Sequence, residues 1–317
     1  MLFRTISDLH LDIQGNAERV PDFSGDDVFT VVCGDTSGTP AETIGWIRRN
    51  IKRGVGCSGN HLPYNYESRP IQDLRDELAK AFPPEADFTY LDAECGPVSK
   101  EHEGVLFVGT CMYSNMEISS HVNPSGDVFI NKRIAKSRMN DYKFGIASVG
   151  ADGKLVMITP DDYVRWFQNA YGKIEAVLSA NEASPDPKPV VLFTHFPLVR
   201  EVVEHSLYVD GDNFTSYGND MIGWLGKHPS VKCHCCGHCH DLPKEWRSFK
   251  LDRPCGPLLV VNNSFGYSRA THDYDFSRNL LIDTSKWETV DSPEPGDVIA
   301  DKKERREAMT RYMSLFF

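Results

Sequence analysis

The sequence predicts an α/β protein in which parallel strands end at a common edge. Three observations predict this class: short β-branched apolar runs, helices with clear capping signals between them, and polar side chains directly after several strands. The apolar run 28–33 is followed by a helix with Thr39 as N-cap and Pro40 at its first position, and the chain returns through a short strand at 55–57. This order predicts a βαβ unit, and ligands of such units bind beyond the carboxyl ends of the strands.

The same signals predict the remaining elements. A helix at 69–82 would be capped by Ser68 and ended by two prolines. Another begins after Thr159, with apolar and aromatic side chains at a helical period, and a short one is expected near 220–227. Further strands are predicted at 88–91, 105–108, 190–194, 231–235, 257–261 and 280–282.

Composition limits the function classes. The formal net charge of the 317 residues is −11, which argues against a broad grip on nucleic acid. No apolar run approaches the ~20 residues of a membrane helix, and the first residues lack a signal-peptide pattern. The nine cysteines are an odd number, and four of them lie within 233–239. This spacing does not resemble a secreted disulfide framework, so a reducing cytoplasm is expected.

One large domain is expected at 1–283, followed by a tail at 284–317. Within the domain, 112–158 is polar with a basic bias around 132–143, which leaves two interpretations: a solvated excursion or a cap that faces the substrate. The tail is charged and then apolar from about residue 301, and we expect it to dock as an amphipathic helix on the domain or on a partner. The oligomeric state is left open.

Metal-capable side chains follow five predicted strands. Asp8 and His10 come directly after the first, and residues two apart in an extended chain project to the same side. A single strand that ends in histidine or aspartate usually indicates a capping hydrogen bond, but five such ends favour one metal site. The later ends carry Asp35, Asn60 with His61, His195, and His238 with His240.

In this order the blocks resemble the signature of the calcineurin-like metallophosphoesterase superfamily: D-x-H, G-D, G-N-H, H and G-H-x-H. The resemblance covers about residues 1–283, and softer fragments at 140–142, 194–197 and 262–267 look like bacterial members. It implies a four-layer α/β/β/α sandwich of two mixed sheets, with a dinuclear metal site at the strand ends. Carried over by position, one metal would be held by Asp8, His10 and His240, and the other by Asn60, His195 and His238.

The resemblance also implies an activity. Asp35 would bridge two divalent ions, with manganese expected first and iron, zinc or nickel as alternatives given the nitrogen and oxygen ligands. A metal-bridging hydroxide would attack a phosphate monoester or diester in line. His61 would act beside the leaving group as general acid or transition-state donor. The expected partner is a small phosphorylated substrate, without a membrane.

The sequence departs from the protein phosphatase branch of that superfamily. Gly34-Asp35 is followed by Thr36 and not by the Asp-Arg-Gly run of that branch, so no arginine is present there to hold a phosphoprotein. Leu62 stands where that branch has an acidic neighbour of His61, so another group must orient the imidazole. Asp12 is one candidate, and the competing interpretation is that Asp12 faces solvent. A protein phosphatase is therefore disfavoured.

Several alternatives remain open. A nuclease or nucleotide phosphodiesterase is favoured only by the basic bias in the excursion. Loss of a ligand would favour a catalytically idle metal-binding scaffold, and none is lost. The run 233–240 by itself has the spacing of a structural zinc site, against burial of its cysteines as small hydrophobic side chains. Histidines outside the five blocks, such as His228, are expected at the surface, while His234 could support the metal ligands.

Overall fold

The computed structural model describes residues 1–13, 15–64, 69–206, 209, 214–240, 242–267 and 276–290. Over these residues the strands form two six-stranded sheets and one two-stranded sheet. The strands are β1 Leu2–Ile6, β2 Phe29–Cys33, β3 Gly54–Cys57, β4 Phe88–Tyr90, β5 Ser99–His102, β6 Val105–Thr110, β7 Ile146–Val149, β8 Leu155–Met157, β9 Val190–Thr194, β10 Val231–Cys236, β11 Ser248–Leu251, β12 Leu258–Asn262, β13 Leu281–Asp283 and β14 Glu288–Val290.

The helices lie mostly between strands, as the sequence predicts. Two helices differ from the prediction. α2 starts after Pro70, later than the predicted Arg69, and α7 is shorter than the predicted range 220–227. Thr159 caps α5 as predicted, in a reciprocal capping box with Asp162. The helices are α1 Pro40–Asn50, α2 Ile71–Ala81, α3 Val128–Arg138, α4 Asp141–Phe144, α5 Pro160–Glu182, α6 Arg200–His205 and α7 Ile222–Leu225.

Both large sheets are mixed. The first has the order β14-β13-β1-β2-β3-β4, and its members β1 to β4 run parallel. The second has the order β11-β12-β10-β9-β6-β5, with β6, β9, β10 and β12 parallel. Antiparallel strands lie at the edges, and β5, β11 and β14 were absent from the sequence prediction. These edge strands are half-exposed and polar, so pairing with a neighbour decides their conformation more than an apolar pattern does.

Three apolar layers show how the sheets and helices stack. Between the sheets, Phe3 of β1 meets Phe107 of β6 edge to face, with ring centroids 5.5 Å apart. On the outer face of the first sheet pack α1 and α2, and on that of the second sheet packs α5. Burying each such large side chain contributes about 1.5–3 kcal/mol. The predicted α/β class and its two-sheet, four-layer form are confirmed.

The segment 112–158 folds back onto the domain. It contains α3, α4 and the hairpin β7-β8, and its inner side packs with α5 through Tyr142, Tyr163 and Trp166. Its outer side leaves Phe129 of α3 and Phe144 of α4 exposed. One face of this segment therefore packs against the domain, and the other face is exposed to solvent.

In the part of the chain that is described, no helix combines the length and apolar character that a bilayer crossing requires. The first sheet continues beyond residue 283 through β14. The docking helix expected after residue 301 lies outside the described residues.

Candidate metal centre

The polar strand ends of both sheets meet at one edge of the sandwich. Because β1, β2 and β3 are parallel, their carboxyl ends lie side by side, and the same holds for β9 and β10 in the facing sheet. The structure brings together all eight side chains that the sequence singled out. They are Asp8, His10, Asp35, Asn60, His61, His195, His238 and His240.

Asp8, His10 and His240 form one cluster. Their ligand atoms all lie within 4.8 Å of one another, and His10 Nε2 is 3.7 Å from Asp8 Oδ1. Asp8 is held in place by the Ser264 hydroxyl, which donates to its Oδ2 at 2.8 Å. The backbone N–H of His238 also donates to this carboxylate, at 3.0 Å. Three donors from two sheets thus converge on one small volume.

Asn60, His195 and His238 form a second cluster beside the first. His195 Nε2 lies 2.8 Å from Asn60 Oδ1, and the His195 and His238 ring centroids are 5.1 Å apart. His195 Nδ1 donates to the carbonyl oxygen of Cys33 at 2.9 Å, which directs Nε2 into the centre. In metal-binding histidines, such a hydrogen bond from the nitrogen that faces away from the metal fixes the tautomer of the ring.

Asp35 lies between the two clusters. Its Oδ2 is 3.3 Å from His195 Nε2, and its Oδ1 accepts the backbone N–H of His61 at 3.0 Å. Ligand atoms of Asp35 lie within 4.8 Å of those of Asp8 and His195, and separately of those of His10 and His61. This carboxylate therefore has the position that a bridging ligand needs.

The backbone at this edge is left-handed, not extended. Asp8, His10, Asp35 and His238 have φ values of 55°, 44°, 47° and 63°. The expectation that Asp8 and His10 converge through strand alternation is wrong, because β1 ends at Ile6 and a left-handed loop turns both side chains inward. Such conformations cost of order 1–3 kcal/mol each and are concentrated at functional sites.

Glycines in the sequence blocks let the two sheets approach closely. A Cβ at Gly34, whose φ is +94°, would lie 2.6 Å from His195 Nδ1. A Cβ at Gly237 would clash with Ser7 Oγ and lie 2.7 Å from Asp8 Oδ2. A side chain at either position would push the clusters apart, which explains why these blocks contain glycine before the polar residue.

The donor atoms fit metal ions. Both ring nitrogens of His10 and Nε2 of His238 are buried without a hydrogen-bond partner within the described structure. Leaving a buried polar atom unsatisfied costs about 1–3 kcal/mol. Neutral imidazole nitrogens and carboxylate oxygens are ligands of manganese, iron and zinc. The unsatisfied nitrogens are therefore explained if metal ions bind there.

Charge states in the centre suit cation binding. Burial, with His61 nearby, lowers the pKa of His10 well below its usual range, and burial does the same for His238. Burial would raise the pKa of Asp35, but the neighbouring imidazoles of His195, His61 and His10 together outweigh it and hold that pKa well below its usual range. Burial opposes protonation of His195 as well, yet Asp35 raises its pKa to about 9. A metal bound at His195 Nε2 would therefore replace a proton.

His61 lies at the solvent side of the centre. It is half-buried, whereas the other seven residues are buried. Its Nε2 lies 3.2 Å from the Tyr267 hydroxyl, and its ring stacks on Tyr64 at a centroid distance of 4.5 Å. Asp12 was offered as the group that orients this imidazole, but its carboxylate accepts the backbone N–H of Gly38 instead. Tyr267 and Tyr64 are the neighbours that the sequence analysis missed.

Tyr267 and Ser264 had a signal in the sequence. The fragment 262–267 follows β12, whose carboxyl end lies at the same edge as those of β9 and β10. Its polar residues could have been added to the site by the same strand-end argument. Tyr64 had no such signal, because it follows His61 in a 3₁₀ turn.

The cysteines of 233–239 do not form a zinc site. Cys233 and Cys235 face the core between the sheets, whereas Cys236 and Cys239 face the core under the helices. Thiols in two different layers cannot surround one ion. Burial raises the pKa of Cys235, Cys236 and Cys239 well above the usual range, so these thiols are neutral and pack as small hydrophobic groups.

His234 supports the loop after β9. Its Nδ1 donates to the Leu192 carbonyl at 3.2 Å, and its Nε2 accepts the Leu198 backbone N–H at 3.1 Å. Acceptance at Nε2 needs the neutral ring, and burial lowers the pKa of His234 to about 4. Because Leu198 lies three residues after His195, this buried imidazole stabilises the segment that presents His195 to the centre.

We expect His234 to make stability depend on pH. A folded pKa below the unfolded value of 6.5 means that its contribution is complete above pH 6.5 and is lost as pH falls toward 4. This shift corresponds to a loss of about 3 kcal/mol in the free energy of unfolding. Urea unfolding of metal-free wild type and His234→Gln at neutral and acidic pH measures it. The advantage of wild type should shrink on acidification, and an advantage that stays constant contradicts the assignment.

The fold and this edge define a class: a two-sheet α/β sandwich with clustered carboxylates and imidazoles at its strand ends. No family model matches the sequence, and no curated protein matches it either. Among solved structures, the chain is similar in fold to the phosphopantetheinyl hydrolase of Mycobacterium tuberculosis. The two share 19% sequence identity with a TM-score of 0.57, over 86% of this chain and 92% of the other. This likeness shows the fold.

Proposed function

We propose that the protein is a dinuclear-metal-dependent phosphoesterase that hydrolyses phosphate monoesters or diesters. One observation carries the proposal: ligand atoms of Asp35 lie within 4.8 Å of those of Asp8 and His195, and separately of those of His10 and His61, while buried nitrogens of His10 and His238 have no hydrogen-bond partner within the described structure. The fold likeness to a protein named a phosphopantetheinyl hydrolase supports it. The ordered blocks that resemble calcineurin-like metallophosphoesterases supply the same ligand set independently of the coordinates.

In this proposal Asp8, His10 and His240 hold one ion, Asn60, His195 and His238 hold the other, and Asp35 contacts both. The ions would supply Lewis acidity toward the phosphoryl oxygens and lower the pKa of a bound water. Manganese is our first choice because neutral imidazole and carboxylate donors are mixed here. The cytoplasm remains our proposed location, since all nine cysteines are free thiols.

Three residues of the chain would have separate roles in the reaction. Asp35, held ionised, would bring negative charge between the two ions. His61 is the imidazole nearest to solvent, so it is the group able to meet an incoming ester and donate a proton to its leaving oxygen. The neutral amide of Asn60 binds without adding negative charge, which leaves the centre attractive to an anionic phosphate.

A reconstitution assay tests the proposal. Protein stripped of metal should show no hydrolysis of an aryl phosphate monoester or of the matching diester, and manganese should restore turnover of at least one. A phosphopantetheinyl diester belongs in the panel, because of the name of the similar structure. The ratio of diester to monoester turnover then directs the search for the substrate.

The opposite result is equally specific. Stoichiometric binding of two manganese ions without hydrolysis of any of the three substrates would contradict the phosphoesterase proposal. It would instead favour a metal-binding scaffold.

A further inference from the structure

We infer that Tyr64 and Asp141 are positioning residues that set the orientation of Asn60 and His61; the inference rests on the proposed function. Neither residue belongs to the five sequence blocks. Tyr64 ends the 3₁₀ turn Leu62–Tyr64, and Asp141 is the first residue of α4 in the segment 112–158. They are far apart in sequence, and only the folded chain brings them together.

The first step concerns the amide of Asn60. The Tyr64 hydroxyl donates to Asp141 Oδ2 at 2.6 Å, so its proton is committed to that carboxylate. The same hydroxyl oxygen accepts a hydrogen bond from Asn60 Nδ2 at 3.5 Å. An amide whose nitrogen faces an acceptor presents its oxygen on the other side, where Asn60 Oδ1 lies 2.8 Å from His195 Nε2. Tyr64 thereby decides which end of Asn60 faces the centre.

The second step concerns the imidazole of His61. The Tyr64 ring stacks on it with an interplanar angle of 27° and a centroid distance of 4.5 Å. The Tyr64 backbone N–H donates to the His61 carbonyl at 3.0 Å, so both rings belong to one tight turn. Stacking on one face and the Tyr267 hydroxyl at Nε2 restrict rotation of the His61 ring.

The third step concerns the anchor. Asp141 is 2% exposed, and its Oδ1 accepts a hydrogen bond from the Tyr163 hydroxyl of α5. Keeping a carboxylate out of water costs free energy, and only strong hydrogen bonds repay it. Here one of the two bonds goes to the core and the other goes to Tyr64. The bond from Tyr163 thus offsets the burial of the carboxylate, while the bond from Tyr64 is the one that connects Asp141 to the metal centre.

The test uses Tyr64→Phe, which removes the hydroxyl and keeps the ring. Metal-stripped protein is titrated with Mn²⁺, and the two binding constants are compared. We expect the Mn²⁺ affinity of the cluster of Asn60, His195 and His238 to fall about 10-fold or more, as happens when residues that orient ligands are removed. The Mn²⁺ affinity of the cluster of Asp8, His10 and His240 should stay as in wild type. Asp141→Asn should act in the same direction. Should Asp141→Asn not fold, Tyr64→Phe alone decides the question.

Tyr163→Phe is the matched control, because it removes the hydroxyl on the other side of the same carboxylate. Its manganese affinities should stay within about twofold of wild type, although its thermal midpoint will fall. Equal affinities in Tyr64→Phe and wild type would overturn the inference, and so would equal weakening in Tyr163→Phe. If wild type binds two ions but hydrolyses nothing, the proposed function fails while the titration still decides this inference.

Discussion

Asp35→Asn should lose metal and activity together. The change replaces one carboxylate oxygen by an NH₂ group, which cannot accept a metal, and it removes the negative charge shared by both clusters. Metal content should fall from two ions to one or fewer per chain. Turnover should fall by about 10³-fold or more, since the Lewis acidity of the ions is worth several kcal/mol.

Metal analysis of the purified variant, beside turnover on the best substrate of the panel, measures both effects. Asp22→Asn is the matched control, because Asp22 is an exposed carboxylate whose hydrogen bond is to Ser24 in its own turn. Retained turnover with full metal content in Asp35→Asn would refute the bridging assignment.

His61→Gln should keep both metals and slow turnover by about 10², the range of a lost general acid. The metals should remain because the His61 backbone N–H, which donates to Asp35 Oδ1, is unchanged. The glutamine side chain still fills the space against Tyr64, but it cannot deliver a proton near neutral pH. The loss should therefore appear in kcat.

Steady-state kinetics with metal analysis test this expectation, and His121→Gln serves as control because His121 is exposed. An unchanged kcat would remove His61 from the reaction. Loss of an ion would instead make His61 a ligand, an outcome with a geometric basis, since its ring nitrogen lies within 4.8 Å of ligand atoms of His10 and Asp35.

The strand-end blocks and the partners of His61 differ in how far apart they lie in sequence. Each block is a strand end followed by one or two polar residues, and both features are legible within a few positions. The partners of His61 are not. Tyr267 reaches it from 206 residues away in sequence, and the nearby Asp12 is turned to Gly38 instead. Proximity in sequence therefore does not identify the orienting group.

His228 shows the same limit outside the centre. It was expected at the surface, but it is 4% exposed and lies between two carboxylates of α5, at 3.2 Å from Glu175 and 3.1 Å from Glu182. The sequence predicts the spacing of these glutamates on a helix, but it does not predict that the loop after α7 packs against them. Long-range packing decided this burial.

The sequence by itself determined the α/β class, the central strands and the identity and order of the eight polar side chains that the fold brings together. Those features depend on apolar runs, capping signals and the chemistry of single side chains, which are properties of short segments. Only the tertiary structure decided that Asp8 and His10 converge through left-handed loops, that the cysteines divide between two core layers, and that Asp141 reaches Tyr64. These outcomes depend on how two sheets and a distant segment pack against each other, and no local pattern encodes that contact.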